Sequence, residues 1–220
     1  MAVKGVVFDF DGVIVDTPKI YFHTMGNFLE RHGLKLSREE LSRLISFSFK
    51  QEFEFLKEKY GLKIDFEDFK KETLLESRKM MEKDLSLTIG AKELLLELSK
   101  NGFGVGLASN NNRSVVEWAI NRLGIKKYFD SVVCVESIQK PKPAPDVYLK
   151  NAELLSLSPS ECAGIEDSVV GCQAVKNAGF FCIGLENGFT DSKLLCADFT
   201  VQSLSELSLE KFKSFKSGGK

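Results

Sequence analysis

The fold class of this chain is decided at residues 6–12, which read Val-Val-Phe-Asp-Phe-Asp-Gly. The apolar, β-branched run that begins at Val3 leads into this stretch and is typical of a strand buried in a sheet. The run ends abruptly at two aspartates one residue apart. In an open α/β sheet, the carboxyl ends of the strands face the ligand crevice. The pattern therefore predicts a buried strand that carries Asp9 and Asp11 into a binding site.

Two carboxylates held this close together are costly to desolvate, because like charges raise each other's pKa. A bound cation removes that cost, and carboxylate oxygens suit Mg²⁺, which binds through a few acids plus substrate phosphate. The alternative is a strand followed by an ordinary Asp-Gly hairpin turn. The clustering of Asp9, Asp11 and Asp16 directly after so apolar a strand favours the metal site.

The composition excludes several classes of protein. The chain has 220 residues, 43% of them hydrophobic and 28% charged, which is ordinary for a soluble core domain with one small further domain. The net charge of −1 gives no reason to expect nucleic acid, and no apolar run is long enough to span a membrane. There is no signal-peptide pattern, and the five cysteines include no Cys-x-x-Cys pair. We therefore expect a cytoplasmic monomer with buried, reduced thiols.

The segment after the first strand is predicted to be helical. From Thr17 to about Lys83 the sequence is rich in Phe, Leu, Glu and Lys at helical intervals. A capping box at residues 37–40, a helix over Phe49–Tyr60, and an N-cap at Asp65 indicate separate helices with short connections. In the helix that follows Asp65, residues 74–75 are expected on the apolar side. We predict a small four-helix domain over residues 16–83, inserted after the first strand as a cap.

The rest of the chain alternates between strands and helices. Buried strands are predicted at Gly104–Ala108, Ser131–Val135, Cys162–Ile165 and Phe180–Leu185, with helices between them, and Trp118 is expected in the core. This alternation predicts an α/β domain with a doubly wound parallel sheet over residues 1–15 and 84–220. Right-handed crossovers then place the carboxyl ends of the strands on one edge.

Three polar stretches follow predicted strands and are therefore expected near Asp9. In the first, Ser109 and Asn110 offer a hydroxyl and an amide to a phosphate oxygen just before a helix, unless they form an ordinary capped loop. In the second, residues 139–146, prolines stiffen the approach to a helix that Asp146 can cap. A rigidly held lysine there suits an anion, and the alternative is a proline-rich surface turn with solvated lysines.

The third stretch is Ala163–Gly171, where Glu166 and Asp167 stand together at the end of a strand and Ser168 is expected to cap the next helix. Adjacent acids in this position repeat the arrangement at Asp9 and Asp11. The alternative is that the two acids are favoured there only by the dipole of the helix.

The four stretches, taken in order, resemble motifs I to IV of the haloacid dehalogenase superfamily. Residues Val13, Asp16 and Thr17 after the first motif look like the branch of β-phosphoglucomutase-like sugar-phosphate phosphatases and mutases. The resemblance implies a Rossmann-like core with an inserted helical cap. It also implies that a small phosphorylated metabolite is the substrate, and that the cap selects the leaving group.

The resemblance further implies a role for each motif residue. Asp9 is the nucleophile that forms an aspartyl phosphate, and Asp11 is the general acid and base. Mg²⁺ is held by Asp9, by the backbone carbonyl of Asp11 and by Asp167, with Glu166 near. The transferred phosphoryl group is held by the serine, amide and lysine of motifs II and III: Ser109, Asn110 and Lys142, with Lys140 as the runner-up for the lysine.

The type of reaction follows from two comparisons within the superfamily. The dehalogenase branch has no aspartate at the place of Asp11, so phosphoryl transfer is favoured over dehalogenation. The mutase pattern has a histidine at the place of Tyr21, with His23 two residues late, and a cap arginine that has no clear counterpart near residues 46–50. Thr17 does match the mutase pattern.

We therefore predict a phosphatase of a small sugar phosphate or similar phosphomonoester. A phosphosugar mutase is the alternative, and a catalytically idle binding protein on the same fold is a more remote one. In the cap, Arg78 and Lys79 are candidate substrate contacts, although their pattern favours exposed helix charges.

Overall fold

The computed structural model describes residues 2–44, 47, 49–186 and 194–215. Within these residues the chain divides into two units. The first, here called the core unit, contains residues 2–15, 86–186 and 194–215. The second, the helical unit, contains residues 16–44, 47 and 49–85. The assignment of the helical unit as a cap stays a prediction.

The core unit is built on a parallel sheet of six strands. The strands are β1 (Gly5–Asp9), β2 (Gly104–Ala108), β3 (Ser131–Val133), β4 (Cys162–Glu166), β5 (Phe181–Leu185) and β6 (Phe199–Val201). Their order in the sheet is β3-β2-β1-β4-β5-β6, and every neighbouring pair is parallel. The chain therefore winds to one side of β1 and later to the other. This confirms the predicted doubly wound α/β sheet and puts its switch point at β1 and β4.

Helices surround the sheet and form the helical unit. In the helical unit they are α1 (Thr17–Arg31), α2 (Arg38–Leu44), α3 (Phe49–Tyr60) and α4 (Phe66–Asp84). In the core unit they are α5 (Ala91–Lys100), α6 (Arg113–Arg122), α7 (Asp146–Leu154), α8 (Val169–Asn177) and α9 (Leu209–Ser214). Every residue of β1, β4 and β5 is buried, because helices cover both faces of a parallel sheet.

Local sequence signals set several of these boundaries. In the capping box, the Glu40 backbone N–H donates to Ser37 Oγ, and the Ser37 backbone N–H donates to Glu40 Oε2. Asp65 caps α4 by accepting a hydrogen bond of 2.9 Å from the Asp68 backbone N–H. The predicted helix over Phe49–Tyr60 and strand over Gly104–Ala108 match the structure residue for residue. These predictions are confirmed.

Two predictions about buried side chains are wrong. On α4 the buried positions are Phe69 and Thr73, so a turn of 100° per residue carries Leu74 and Leu75 away from the packed side, and both are exposed. Trp118 on α6 is 38% exposed, and its ring lies beside the Arg122 guanidinium. The predicted strand over Ser131–Val135 also ends earlier, at Val133.

All five cysteines lie among the described residues. Four cysteines are buried, Cys196 is half-buried, and all five are free thiols. Among the described residues, no helix combines the length and the low polarity that crossing a bilayer requires.

The helical unit contains one buried carboxyl group, that of Glu52 on α3, to which the Tyr21 hydroxyl donates a hydrogen bond. Burial raises the pKa of Glu52 from its usual 4.5 to about 7, although the bond from Tyr21 opposes the shift. Burial and the neighbouring Glu52 also raise the pKa of Tyr21. The Tyr21 hydroxyl is therefore a hydrogen-bond donor held by a carboxyl group.

Glu52→Gln is expected to stabilise the protein at alkaline pH. Between pH 4.5 and about 7 the folded state holds a proton on Glu52 that the unfolded state has released, so stability falls as pH rises through this window. The amide of the variant stays uncharged. At about pH 8 the free energy of unfolding should therefore rise by roughly 2–3 kcal/mol, and at about pH 4 it should be unchanged.

Thermal and urea unfolding of wild type and variant at both pH values check this prediction. Glu58→Gln, at an exposed position of the same helix, is the matched control and should not change the pH dependence. Equal pH dependence in wild type and Glu52→Gln would contradict the assignment.

Candidate active site

The site is assembled by the carboxyl ends of the central strands. In the parallel register, Asp9 on β1 lies opposite Ala108 on β2, and Phe8 lies opposite Ile165 on β4. Asp9 is therefore level with Ala108, which directly precedes Ser109, and with Glu166, which directly follows Ile165. Directly after Asp11 the chain turns at Gly12, whose φ of 73° is in the region that favours glycine. The predicted meeting of motifs I, II and IV at one edge is the observed arrangement.

Lys142 connects these strand ends from the loop that precedes α7. Its Nζ donates a hydrogen bond to Asp9 Oδ1 and another, of 2.6 Å, to Glu166 Oε1. Its side chain is only 6% exposed. Lys140 is exposed, and its backbone N–H donates to Asp146 Oδ2 at 3.1 Å. Of the two lysines considered from sequence, Lys142 is therefore the one that reaches Asp9.

Asp9, Lys142 and Glu166 are buried together, so their charges influence the pKa values of Asp9 and Lys142. Burial raises the pKa of Asp9 well above its usual value, and the nearby Glu166 carboxylate adds to this, while the Lys142 ammonium opposes it. Burial alone lowers the pKa of Lys142, but the charges of Asp9 and Glu166 outweigh it and raise that pKa. One ammonium thus lies among several carboxylates, and the site is short of positive charge.

The carboxylates fit a hard divalent cation. Among the described residues, Asp9, Glu166 and Asp167 form a buried group in which one oxygen from each lies within 4.8 Å of the others. An all-oxygen donor set of this kind suits Mg²⁺. The side chain of Asp11 does not belong to the group, in keeping with the implied role of its backbone carbonyl.

The loop after β2 holds the residues of motif II. Ser109 is fully buried, and its Oγ accepts a hydrogen bond of 3.0 Å from the Asn111 backbone N–H. The exposed Asn110 accepts a bond of 3.2 Å at Oδ1 from the Lys142 backbone N–H. Motifs II and III are therefore joined directly.

Two contacts in the site were missed from sequence. Asn111 Nδ2 donates a hydrogen bond of 2.6 Å to Asp11 Oδ2. The fully buried Tyr148 on α7 donates one of 2.5 Å to Glu166 Oε1, and the Lys142 ammonium lies 5.3 Å from the centre of its ring. Asn111 was missed because it is one of three consecutive asparagines, and the sequence does not indicate which of them contacts Asp11. Tyr148 lies near the start of α7, shortly after the Lys-Pro motif. This short distance in sequence from Lys142 was the signal that could have placed Tyr148 near the site.

Asp146 does not cap α7 as predicted. The helix begins at Asp146 itself, with Pro145 before it, and the Asp146 carboxylate accepts the hydrogen bond from the Lys140 backbone. The carboxylate therefore braces the proline-rich loop instead of the helix terminus. Ser168, in contrast, does cap α8, because its Oγ accepts from the Gly171 backbone N–H at 3.0 Å.

The remaining candidates belong to the helical unit. Thr17 is the first residue of α1, and Tyr21 is held by Glu52. Arg78 is 80% exposed and pairs with Glu82 at 3.3 Å, which agrees with the alternative of an exposed helix charge. Within residues 46–50, Phe47 and Phe49 are partly exposed, and positions 46 and 48 lie outside the described residues. A substrate contact of Thr17, Tyr21 or Arg78 stays a prediction.

Glu166 is packed against the first turn of α8. Ser168 Oγ donates to Glu166 Oε2 at 3.3 Å, and a Cβ atom built on Gly171 would lie 1.9 Å from the same oxygen. No side chain fits at Gly171 while Glu166 keeps its place. The glycine is therefore required by the close approach of the carboxylate.

Gly171→Ala is expected to destabilise the protein by about 1–3 kcal/mol, because the methyl group forces Glu166 away from Lys142 and Tyr148. Chemical denaturation with urea measures the change. Gly26→Ala is the matched control, since a Cβ added to this glycine of α1 would meet no atom within 4 Å among the described residues beyond its own stretch of helix. The control should gain up to about 1 kcal/mol from helix propensity. A Gly171→Ala protein as stable as wild type would mean that Glu166 is not confined in this way.

Comparison with known proteins decides the family. The sequence model of the family described as haloacid dehalogenase-like hydrolase matches residues 6–185 of this chain. The chain belongs to this family. The resemblance seen in its four motifs is thereby confirmed.

Relatives of this haloacid dehalogenase-like hydrolase include enzymes named for different reactions. β-Phosphoglucomutase of Bacillus subtilis (strain 168) is 32% identical over 216 residues, which cover 94% of this chain and 92% of that protein. Phosphorylated carbohydrates phosphatase of Thermotoga maritima is 28% identical over 193 residues, covering 87% and 89%. The solved structure of a HAD hydrolase, family IA, variant 3, from Entamoeba histolytica has a TM-score of 0.78 and 27% identity, covering 96% and 97%.

Proposed function

We propose that this protein is a Mg²⁺-dependent phosphatase that hydrolyses a small phosphomonoester through an aspartyl-phosphate intermediate. The substrate class that we favour is the sugar phosphates. One observation carries the proposal. The buried Asp9 carboxylate ends the central strand, is held at Oδ1 by the Lys142 ammonium, and lies with Glu166 and Asp167 in a group of oxygens that suits a cation. A carboxylate held beside an ammonium and a cation site suits attack on a phosphate ester. The negative charge of the ester needs the same two positive groups, the Lys142 ammonium and the cation.

The proposed reaction has two steps that involve the same two aspartates. In the first, an Asp9 carboxylate oxygen attacks phosphorus, the bond to the ester oxygen breaks, and Asp11 gives that oxygen a proton. In the second, water attacks the phosphorus of the aspartyl phosphate, Asp11 takes the water proton, and the bond to Asp9 breaks. Inorganic phosphate leaves and both aspartates return to their starting state.

The surrounding residues hold charge and geometry. We assign Lys142 the neutralisation of phosphoryl oxygens, since its ammonium already pairs with Asp9. Ser109 and Asn110 belong to the loop after β2, and Asn110 accepts a hydrogen bond from the Lys142 backbone N–H. Tyr148 donates to Oε1 of Glu166 and Ser168 donates to Oε2, so both carboxylate oxygens are held. Asp9, Glu166, Asp167 and the Asp11 carbonyl would hold Mg²⁺, which when bound offsets the repulsion between carboxylates and phosphate.

Hydrolysis is favoured over phosphosugar isomerisation by the helical unit. The residue at the place of the mutase histidine is Tyr21, whose hydroxyl is engaged by the buried Glu52. A tyrosine held in this way, with a raised pKa, does not offer the proton chemistry of an imidazole. The identity to β-phosphoglucomutase keeps the mutase as the second candidate. In either case we assign the helical unit the role of a cap that excludes water and selects the leaving group.

The test is phosphate release from β-glucose 1-phosphate, glucose 6-phosphate, ribose 5-phosphate and glycerol 3-phosphate in Mg²⁺ buffer. It is run beside conversion of β-glucose 1-phosphate to glucose 6-phosphate with the bisphosphate primer. Phosphate release without isomerisation supports the phosphatase, and isomerisation faster than release replaces it with the mutase. No Mg²⁺-dependent turnover of these esters or of p-nitrophenyl phosphate would favour a catalytically idle protein.

A further inference from the structure

Asp11 has a partner that none of the four motifs assigns. The Asn111 amide Nδ2 donates a hydrogen bond of 2.6 Å to Asp11 Oδ2, although the two residues are a hundred positions apart in sequence. We propose that Asn111 is a positioning residue that orients the Asp11 carboxyl group for proton transfer to the leaving oxygen. The inference deepens the proposed phosphatase function and rests on it.

The backbone of Asn111 is fixed well enough to position another side chain. Its N–H donates to the fully buried Ser109 Oγ at 3.0 Å, and its carbonyl oxygen accepts from the Val135 N–H at 3.4 Å. The Ser109 N–H in turn donates to the Val133 carbonyl oxygen at 3.0 Å, at the end of β3. The amide therefore extends from a loop that is tied to two neighbouring strands.

In the proposal, the chemistry of the amide gives the two oxygens of Asp11 different roles. An amide N–H only donates, so Asp11 Oδ2 is the acceptor, and in the proposed first step the proton given to the leaving oxygen is one carried by Oδ1. When the ester bond breaks, this proton moves from Oδ1 to the leaving oxygen, and Asp11 becomes a carboxylate. A hydrogen bond to an ionised acceptor is stronger than one to a neutral acceptor, so the Asn111 contact strengthens as the proton leaves.

The same amide could instead contact the phosphoryl group, as Ser109 is proposed to do. The two roles differ in their dependence on the leaving group. A sugar alkoxide needs a proton in order to leave, whereas p-nitrophenolate leaves without one. Loss of a residue that acts through Asp11 should therefore affect the sugar ester alone, and loss of a phosphoryl ligand should affect both esters equally.

The experiment compares kcat/KM of wild type and Asn111→Ala for the best sugar phosphate of the panel and for p-nitrophenyl phosphate. This ratio reports the steps up to departure of the alcohol, so the second, shared step does not obscure the leaving group. We expect a loss of at least about tenfold on the sugar ester and less than about threefold on the aryl ester. Retained turnover of the aryl ester also shows that the variant is folded.

Two further proteins sharpen the result. Asn112→Ala is the matched control, because Asn112 is exposed and makes no side-chain capping bond to α6, and it should leave both esters unaffected. In an Asp11→Asn background, Asn111→Ala should cause no additional loss on the sugar ester, since the two residues act as one unit. An equal loss on both esters, an unchanged sugar ester, or an undiminished loss without Asp11 would each overturn the proposal. A wild type that releases no phosphate from either ester would overturn the phosphatase function itself.

Discussion

Asp9→Asn is expected to abolish phosphate release while the protein stays folded. The amide keeps the size of the side chain and removes the nucleophilic oxygen, so turnover should fall by at least about 10⁴-fold. Burial and Glu166 already raise the pKa of Asp9, which means that an uncharged group is tolerated at this position. Thermal unfolding should therefore show a stability equal to that of wild type or higher.

The measurements are phosphate release and capture of the phosphorylated enzyme by mass spectrometry after acid quenching. Wild type should show a phosphate adduct on the peptide that contains Asp9, and the variant none. Asp65→Asn is the matched control, because asparagine caps α4 as well as aspartate does and the position lies in the helical unit. Substantial turnover of Asp9→Asn, or an adduct elsewhere, would remove Asp9 from the role of nucleophile.

Lys142→Met should lose both activity and stability. The Lys142 ammonium pairs with two buried carboxylates, those of Asp9 and Glu166. Removing one partner of a buried ion pair leaves uncompensated charge and costs roughly 3–5 kcal/mol. Methionine retains most of the apolar length of the side chain, so this loss reports the charge and not a cavity. Phosphate release should become undetectable, because nothing replaces the positive charge at the phosphoryl oxygens.

Urea unfolding in EDTA measures the stability term without a contribution from bound metal. Lys140→Met is the matched control, since this lysine lies two residues away, is exposed, and uses only its backbone in a hydrogen bond to Asp146. The control should retain the stability and the activity of wild type. If Lys140→Met loses activity and Lys142→Met retains it, the assignment of motif III is wrong.

The sequence by itself predicted the succession of strands, several helix ends and four stretches that carry candidate site residues. These features depend on residues close together in sequence. A buried parallel strand is encoded by a short apolar run, and a helix end is indicated by its capping residue. The matches at Phe49–Tyr60 and at Ser168 follow from such signals. Sequence also placed Asp9, Ser109 and Glu166 together, since parallel strands joined by right-handed crossovers end on one edge.

Only the tertiary structure decided which of several equivalent residues makes a given contact. Lys142 and Lys140 are the same residue type in the same stiff loop, and what separates them is the reach of Nζ to Asp9. Asn111 is one of three consecutive amides, and its partner Asp11 is distant in the chain. Exposure of Trp118 likewise depends on what packs against its helix. Such contacts join residues remote in sequence, and periodicity, propensity and capping carry information about near neighbours alone.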